Sequence, residues 1–463
     1  MFQHSKNDGG DELAPTYGSR SLSAPVPKYR LPEGEMPSRL AYQIIHDELA
    51  LDGNPALNLA TFVTTWMEPE ARLLMAESLN VNSIDQDEYP QTTEIQNRCV
   101  SILADLFHAD DSEHAMGTAT VGSSEAIHLA GLAMKWRWRS RQQAAGKPTE
   151  KPNLVMSETV QVCWEKFVRY FDVEPRMVPI TPERTVIDPE LAMALVDEST
   201  IGVVGILGST YTGEFEPIGE LSAALDDVQE RTGIDVPLHV DGASGAFVAP
   251  FTQPDLAWDF RLPRVKSINA SGHKYGLVYP GVGWALWRDK SELPEDLIFH
   301  TNYLGGDQPT FDLNFSRGAS QIIAQYYNFL RMGRKGYTDV MTRLSDTAAY
   351  LSELVDASPY VELMSKPDSL PLVCARVVDD AGFTAYDLSA KMKERGWIVP
   401  AYTLAPDADH VSVLRVVVRE GMSADMAELL VADFRRSVEE LGAMPADLPG
   451  RHGHQPHHRG KIC

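Results

Sequence analysis

The sequence predicts an α/β protein in two tiers, a helix-covered, mostly parallel sheet followed by a smaller C-terminal α+β domain. That prediction rests on three observations. From about Ala56 to Lys335, short β-branched or apolar runs alternate with longer amphipathic stretches, the pattern of strands joined by crossover helices. After Tyr337 the pattern changes to a long helix reaching about Val355, a strand-like run at 372–378, a helix near 386–395 and a strand-like run at 411–418. With 463 residues and 43% hydrophobic content, the chain is long enough for two or three domains with a substantial core.

Residues 1–55 read as an N-terminal arm and helix. The stretch to about Glu35 is rich in Gly, Pro, Ser and charge and reads as a mobile arm. A helix then starts near Pro37-Ser38, with Ser38 as N-cap and Leu40, Ile44, Ile45 and Leu49 on one face. Residues 56–340 form the large domain, with candidate strands at 154–156, 203–207, 238–240, 265–268 and 283–287. Each is followed by a polar or Gly-rich loop, and loops at the carboxyl ends of strands are where open α/β sheets bind ligands. Residues 341–448 form the small domain, and 449–463 a flexible tail carrying His452, His454, His457 and His458.

A net charge of −24, from 65 acidic and 41 basic residues, argues against nucleic acid as a partner, because affinity for phosphate backbones comes chiefly from Lys and Arg. Cys99, Cys163, Cys374 and Cys463 are scattered, with no Cys-x-x-Cys pair. That fits a reducing compartment and offers no metal framework. The first 30 residues hold no apolar core of signal-peptide length, and no apolar run approaches the ~18 residues that span a bilayer. The expectation is a cytoplasmic protein with no membrane partner.

The most informative segment is Asn269-Ala-Ser-Gly-His-Lys-Tyr-Gly276. A lysine in such a loop is ordinarily just solvated, but Asp241 ends the preceding apolar run Leu238-His-Val240 and is followed by the small residues Gly242-Ala-Ser-Gly245. An acid closing one strand and a lysine following the next can face one ligand. An aldehyde cofactor with a pyridine ring needs that pair: the amine forms a Schiff base, and the carboxylate keeps the ring nitrogen protonated. Gly122-Ser-Ser124 runs straight into an apolar-periodic helix at 127–138, which suits a phosphate at the positive end of a helix dipole. A plain Ser N-cap with Glu125 in the first turn is the other reading. The Gly-Lys-Ser/Thr ending of a nucleotide P-loop is missing, which counts against ATP or GTP.

Taken together, these segments resemble the glutamate decarboxylase family of pyridoxal 5′-phosphate enzymes, within the aspartate aminotransferase superfamily. The resemblance runs from about Ile44 to about Leu441. It includes Leu51-Asp-Gly-Asn54, Asn58-Leu-Ala-Thr-Phe62, Asp87-Glu-Tyr-Pro90, Met134-Lys-Trp-Arg-Trp-Arg139, Lys151-Pro-Asn153, Thr210-Tyr-Thr-Gly213, Trp258-Asp-Phe-Arg-Leu-Pro263 and Ser271-Gly-His-Lys274. It implies an aspartate-aminotransferase-like, fold type I architecture whose large domain holds a mixed, mostly parallel seven-stranded sheet. The implied activity is conversion of L-glutamate to 4-aminobutanoate and carbon dioxide with consumption of a proton.

By the same resemblance, Lys274 and Asp241 are the catalytic residues, Lys274 as the Schiff-base lysine and Asp241 as partner of the ring nitrogen. Ser123, Ser124 and His273 hold the phosphate, joined by Ser316 of Asn314-Phe-Ser-Arg317 from a neighbouring subunit. Gln161 and Ala243 lie on opposite ring faces, Gln161 where many decarboxylases of the group place a histidine, and Thr210 stands near the ring oxygen and Asp241. Thr61 and the Phe62 backbone meet the distal carboxylate of glutamate, with Asn82 and Asp85 approaching from a partner chain. Arg415, in Val413-Leu-Arg-Val416, meets the α-carboxylate. A homo-oligomer follows, a dimer at minimum and a hexamer by extension.

Two departures from the family stand out. Gly242 takes the place of the first of two alanines after the aspartate. The tail is Gly-, Pro- and His-rich, without the Trp-bearing basic amphipathic segment of the plant members, so calmodulin is not an expected partner. Bacterial members cap the site with a histidine near the carboxyl end, for which His457 or His458 is the nearest match. Decarboxylation of another amino acid, or a catalytically silent protein of the same fold, are the competing readings.

Overall fold

The computed structural model describes residues 26–302 and 308–443. It divides after Leu57 into two units. In the first, residues 26–37 carry neither helix nor strand, a 3-10 turn spans Pro55–Leu57 and an α-helix spans Ser38–Leu49. Its N-cap is Pro37, with no side-chain cap. The expectation of a Ser38 cap is therefore corrected: Ser38 already lies inside the first turn, where its hydroxyl no longer faces the orphan N–H groups. Of the expected apolar face only Leu40 is buried, and Ile45 and Leu49 are exposed.

The second unit is built on a seven-stranded sheet. Its strands are β1 Met116–Thr120, β2 Asn153–Ser157, β3 Glu174–Val178, β4 Thr200–Ile206, β5 Leu238–Asp241, β6 Val265–Ala270 and β7 Gly283–Trp287. Their spatial order is β1-β7-β6-β5-β4-β2-β3. All neighbours pair in parallel except β7, which runs antiparallel to both β1 and β6. This is the mixed, mostly parallel sheet expected of fold type I. β2, β4, β5 and β7 are buried along their whole length, as strands covered on both faces must be. The helix Ser123–Ala144 presents Ile127, Met134 and Trp138 to a core that includes Leu154, Met156, Trp164, Phe167, Ile201 and Val204.

Two strands of this sheet are not among the candidate runs read from the sequence. β1, Met-Gly-Thr-Ala-Thr, has one bulky apolar residue, and its pairing is set by β7 far along the chain. β3 is an edge strand that carries Pro175 between Glu174 and Arg176, a composition tolerated only where one side of the ladder is open.

A helix from Ser320 to Asp356, kinked at Gly333 (φ 55°, ψ −173°), leads from the large sheet to the small one. The expected start after Tyr337 marks only its second limb. Gly333 can adopt that positive φ without a Cβ clash. After a two-stranded antiparallel ribbon of β8 Phe299–Thr301 and β9 Gln308–Thr310, the small sheet is also antiparallel, with β10 Val361–Leu363, β11 Leu372–Val377, β12 Ala401–Thr403 and β13 Ser412–Val417 in the order β10-β11-β13-β12. The helices Ala385–Lys393 and Ala424–Ala443 pack together, and the first begins with a Thr384/Asp387 capping box. Among the described residues no helix is long and apolar enough to cross a membrane. The tail histidines lie outside the described residues.

Candidate active site

β1, β2, β4, β5 and β6 all run the same way, so the loops that follow them open at one edge of the sheet. They enclose a cavity of about 380 Å³. Ser123, Ser124, Gln161, Thr210, Asp241, Ala243, His273 and Lys274 all line it. Residues separated by up to 151 positions in the chain thus converge through sheet topology alone.

Asp241 is the last residue of β5 and is 5% exposed. Its Oδ2 accepts a hydrogen bond from the Trp164 indole N–H at 2.9 Å. Its Oδ1 accepts from the Asn269 amide at 2.9 Å and from the Ala243 backbone N–H at 3.1 Å. Three donors suit an ionised carboxylate, which a bare cavity floor would not hold.

Lys274 sits in the turn after β6. Its carbonyl accepts from the Thr64 hydroxyl at 2.7 Å, and the neighbouring His273 carbonyl accepts from the Thr64 N–H at 2.9 Å. The amine lies 3.3 Å from Ser244 Oγ and 5.6 Å from the centroid of the Phe62 ring. Burial lowers the basicity of this amine, with Asp241 opposing, so more of it is available as the free nucleophile near neutral pH.

Across the cavity, the N-terminus of the helix Ser123–Ala144 is capped by Gly122 rather than by a serine, leaving Ser123 and Ser124 in the first turn. The Ser N-cap alternative is thereby corrected. A Cβ on Gly122 would come within 2.9 Å of His273 Cε1, so glycine lets the imidazole close against the helix end. Burial, with help from Lys274, pushes His273 down to about 4. The ring is neutral at ordinary pH, and its Nδ1 accepts from the Val282 N–H at 3.3 Å. Nε2 therefore carries the proton and can donate to an anion.

Of the expected substrate residues, Arg415 and Phe62 lie beside this cavity. Arg415 projects from β13, where its guanidinium is 4.6 Å from the Phe62 ring centroid. It donates to the carbonyl of Ala60 at 2.8 Å and to the carbonyl of Thr210, while Nε has no hydrogen-bond partner. Thr61 Oγ1 accepts from the Val63 N–H at 3.0 Å. Asn82, Asp85 and Ser316 do not line the cavity of their own chain. Asn82 instead donates to Ser316 Oγ at 3.5 Å and accepts from the Arg317 N–H at 3.1 Å, so these residues form one patch.

Several site residues were missed in the sequence. Trp164 carries no motif, Asn269 opens the quoted lysine segment without a role of its own, and Gln161 has an unforeseen one. The Gln161 side chain caps the helix Val162–Tyr170 by accepting from the Cys163 N–H at 2.7 Å.

A buried carboxyl near β4 gives a pH test. Glu216 accepts from the N–H groups of Ile206 at 2.6 Å and Ile187 at 3.2 Å, and burial pushes it up to about 7. Between its ordinary 4.5 and about 7 the folded chain holds a proton that the unfolded chain has released. Stability must therefore fall as pH rises through that window, by up to about 3 kcal/mol. Thermal melts of Glu216→Gln should lack this decline, and parallel wild-type and variant curves would contradict it.

The fold and the convergent lysine, aspartate and anion cup define a class, and the chain belongs to the pyridoxal-dependent decarboxylase family, whose conserved domain matches residues 32–378. It is 53% identical over 444 residues to the glutamate decarboxylase of Solanum lycopersicum, covering 96% of this chain and 88% of that protein. It is 50% identical to the glutamate decarboxylase of Aliivibrio fischeri, covering 96% and 97% respectively. Among solved structures, Lactobacillus brevis glutamate decarboxylase matches with a TM-score of 0.90 at 44% identity, over 94% of this chain and 100% of that one. The cofactor of this family is pyridoxal 5′-phosphate, and the donor set fits it. The helix end with Ser123, Ser124 and His273 suits a dianionic phosphate, Asp241 a protonated ring nitrogen, and Lys274 an aldehyde.

Proposed function

We infer that this chain decarboxylates L-glutamate to 4-aminobutanoate and carbon dioxide, consuming one proton per turnover. The observation that carries the reading is the joining of the Lys274 amine, the Asp241 carboxylate and the phosphate cup in one cavity, in a chain about half identical to glutamate decarboxylases over most of its length. When bound, pyridoxal phosphate supplies an aldehyde for amine capture and a cationic ring that accepts the electron pair left by the departing carboxylate.

The chain's own residues do the rest. Lys274 anchors the cofactor, then, freed by substrate, is placed to return a proton to the α-carbon. Asp241 keeps the ring nitrogen protonated. Arg415, anchored on the carbonyls of Ala60 and Thr210 and with Nε unpartnered, orients the α-carboxylate. A carboxylate buried without such a donor would cost several kcal/mol. Thr61 and the Phe62 N–H receive the distal carboxylate. A panel of L-glutamate, L-aspartate and aromatic amino acids tests this reading. Turnover confined to L-glutamate is expected, and faster release of carbon dioxide from another substrate would overturn it.

The placement of Asn82 and Ser316 in a patch off their own cavity supports a shared site. Asn82, Asp85 and Ser316 serve a neighbouring subunit's cofactor and substrate, which makes a symmetric dimer the minimum active unit. Lys274→Ala and Asn82→Ala chains, each impaired alone, should regain activity when dissociated and reassembled together. In the mixed dimer, one site has both an intact Lys274 and an intact partner Asn82. Failure to regain activity, with mixed dimers verified by mass, would contradict the sharing. The buried free thiols of Cys99, Cys163 and Cys374 support a cytoplasmic location.

A further inference from the structure

Behind Asp241 lies a hydrogen-bonded chain that the reaction as described does not use. Asn269, His239 and Trp164 are each 0% exposed. The parallel register of β5 and β6 sets Asp241 opposite Asn269 and His239 opposite Ser267. The Asn269 Nδ2 group donates one hydrogen to Asp241 Oδ1 at 2.9 Å and the other to Ser123 Oγ at 3.0 Å. Asn269 Oδ1 lies 2.9 Å from His239 Nε2, and His239 Nδ1 lies 2.7 Å from Ser267 Oγ. Ser123 Oγ is also 2.7 Å from Ser271 Oγ.

The carboxylate fixes the polarity of the whole chain, because an ionised Asp241 can only accept. The Asn269 amide must therefore turn its NH₂ toward Asp241, which leaves its oxygen to His239. His239 must in turn carry its proton on Nε2 and accept the Ser267 hydroxyl proton on Nδ1. A cationic imidazole would have to donate from both nitrogens, and burial holds His239 down to about 4, so the ring is neutral at working pH. Every polar atom of the Asn269 side chain is satisfied in one orientation only. Its two donors reach the two ends of the cofactor site at once, the ring-nitrogen carboxylate and the phosphate-side serine.

We propose that Asn269, locked in orientation by neutral His239, is a positioning residue that keeps the cofactor's proton on the ring nitrogen rather than on Asp241. The physical reason is competition. A donor to Asp241 Oδ1 draws charge from the carboxylate and weakens it as a proton acceptor. Without that donor the carboxylate competes better for the shared proton, and the electron sink weakens.

This inference rests on the reading of the chain as a pyridoxal-phosphate enzyme, and its test separates the two. Holoenzyme is prepared with pyridoxal phosphate labelled with ¹⁵N in the ring, and the ring-nitrogen resonance is recorded for wild type, Asn269→Leu, His239→Leu and His239→Gln. Asn269→Leu should move the resonance toward the neutral-pyridine position and lower kcat about tenfold, the factor that one unit of proton affinity represents, with little change in KM. His239→Leu frees the amide to turn and should move the resonance partway. His239→Gln retains a donor toward Asn269 Oδ1 and should restore the wild-type position. A role in packing alone would lower thermal stability or cofactor retention without moving the resonance.

An unmoved resonance in Asn269→Leu holoenzyme would overturn the proposal. If that variant does not fold, equal resonances in His239→Leu and His239→Gln would overturn it equally well. A wild-type holoenzyme whose ring nitrogen is already neutral would instead refute the role given to Asp241.

Discussion

Lys274→Ala should fold normally and turn over L-glutamate below the limit of detection. The amine contributes little to stability: its hydrogen-bonding neighbour is Ser244 Oγ at 3.3 Å, and burial disfavours its charged form. The loop is held by its backbone instead, through Thr64 to the carbonyls of His273 and Lys274. Catalysis has no such redundancy, because covalent capture of the cofactor and its release to substrate both need that nitrogen. Circular dichroism and thermal melting should match wild type, while the absorbance of lysine-bound cofactor is lost. In wild type, borohydride reduction followed by peptide mapping should place the label on Lys274. A label on another lysine would refute the assignment.

The second large effect is expected at Asp241. An asparagine there fills the same space but cannot hold a ring nitrogen in its protonated form. It also turns an NH₂ group toward Trp164 or toward the Asn269 and Ala243 donors, where the aspartate offers two acceptors. Asp241→Asn should retain cofactor on Lys274, trapped by borohydride at near wild-type yield. Its kcat should fall by about a hundredfold or more, the usual cost of removing one preorganised electrostatic partner of the transition state. A variant with near-normal kcat would mean that another group protonates the ring.

Legibility of the site followed the range of the interactions that build it. Asp241 and Lys274 were readable because each ends or follows an apolar run and is flanked by small residues, all within a few positions. β2, β4, β5, β6 and β7 are readable because each carries a short run of apolar or β-branched residues followed by a polar or Gly-rich loop. Trp164 and His239 were not, since their contacts with Asp241 and Asn269 exist only through strand register and the packing of the helix Val162–Tyr170 on the sheet. β1 was hidden because antiparallel pairing with β7 supplies what its own side chains lack. Arg415 was identified as an anion partner, but its anchoring on the carbonyls of Ala60 and Thr210 depends on how the small sheet meets the loop after β4. The start of the helix Ser123–Ala144 falls at Ser123, four residues before its first apolar-periodic residue, because Ser123, Ser124 and Glu125 are polar. They serve the cavity rather than the core.

The most direct test of the central claim is product analysis with L-[1-¹³C]glutamate in D₂O, using purified chain and pyridoxal phosphate. Equal amounts of ¹³CO₂ and of 4-aminobutanoate free of ¹³C are expected, the latter with one deuterium on the carbon that bore the carboxylate. That result reports loss of the α-carboxylate and protonation at the same carbon in one experiment. Absence of ¹³CO₂ from glutamate, under conditions where the cofactor is bound at Lys274, would contradict the account.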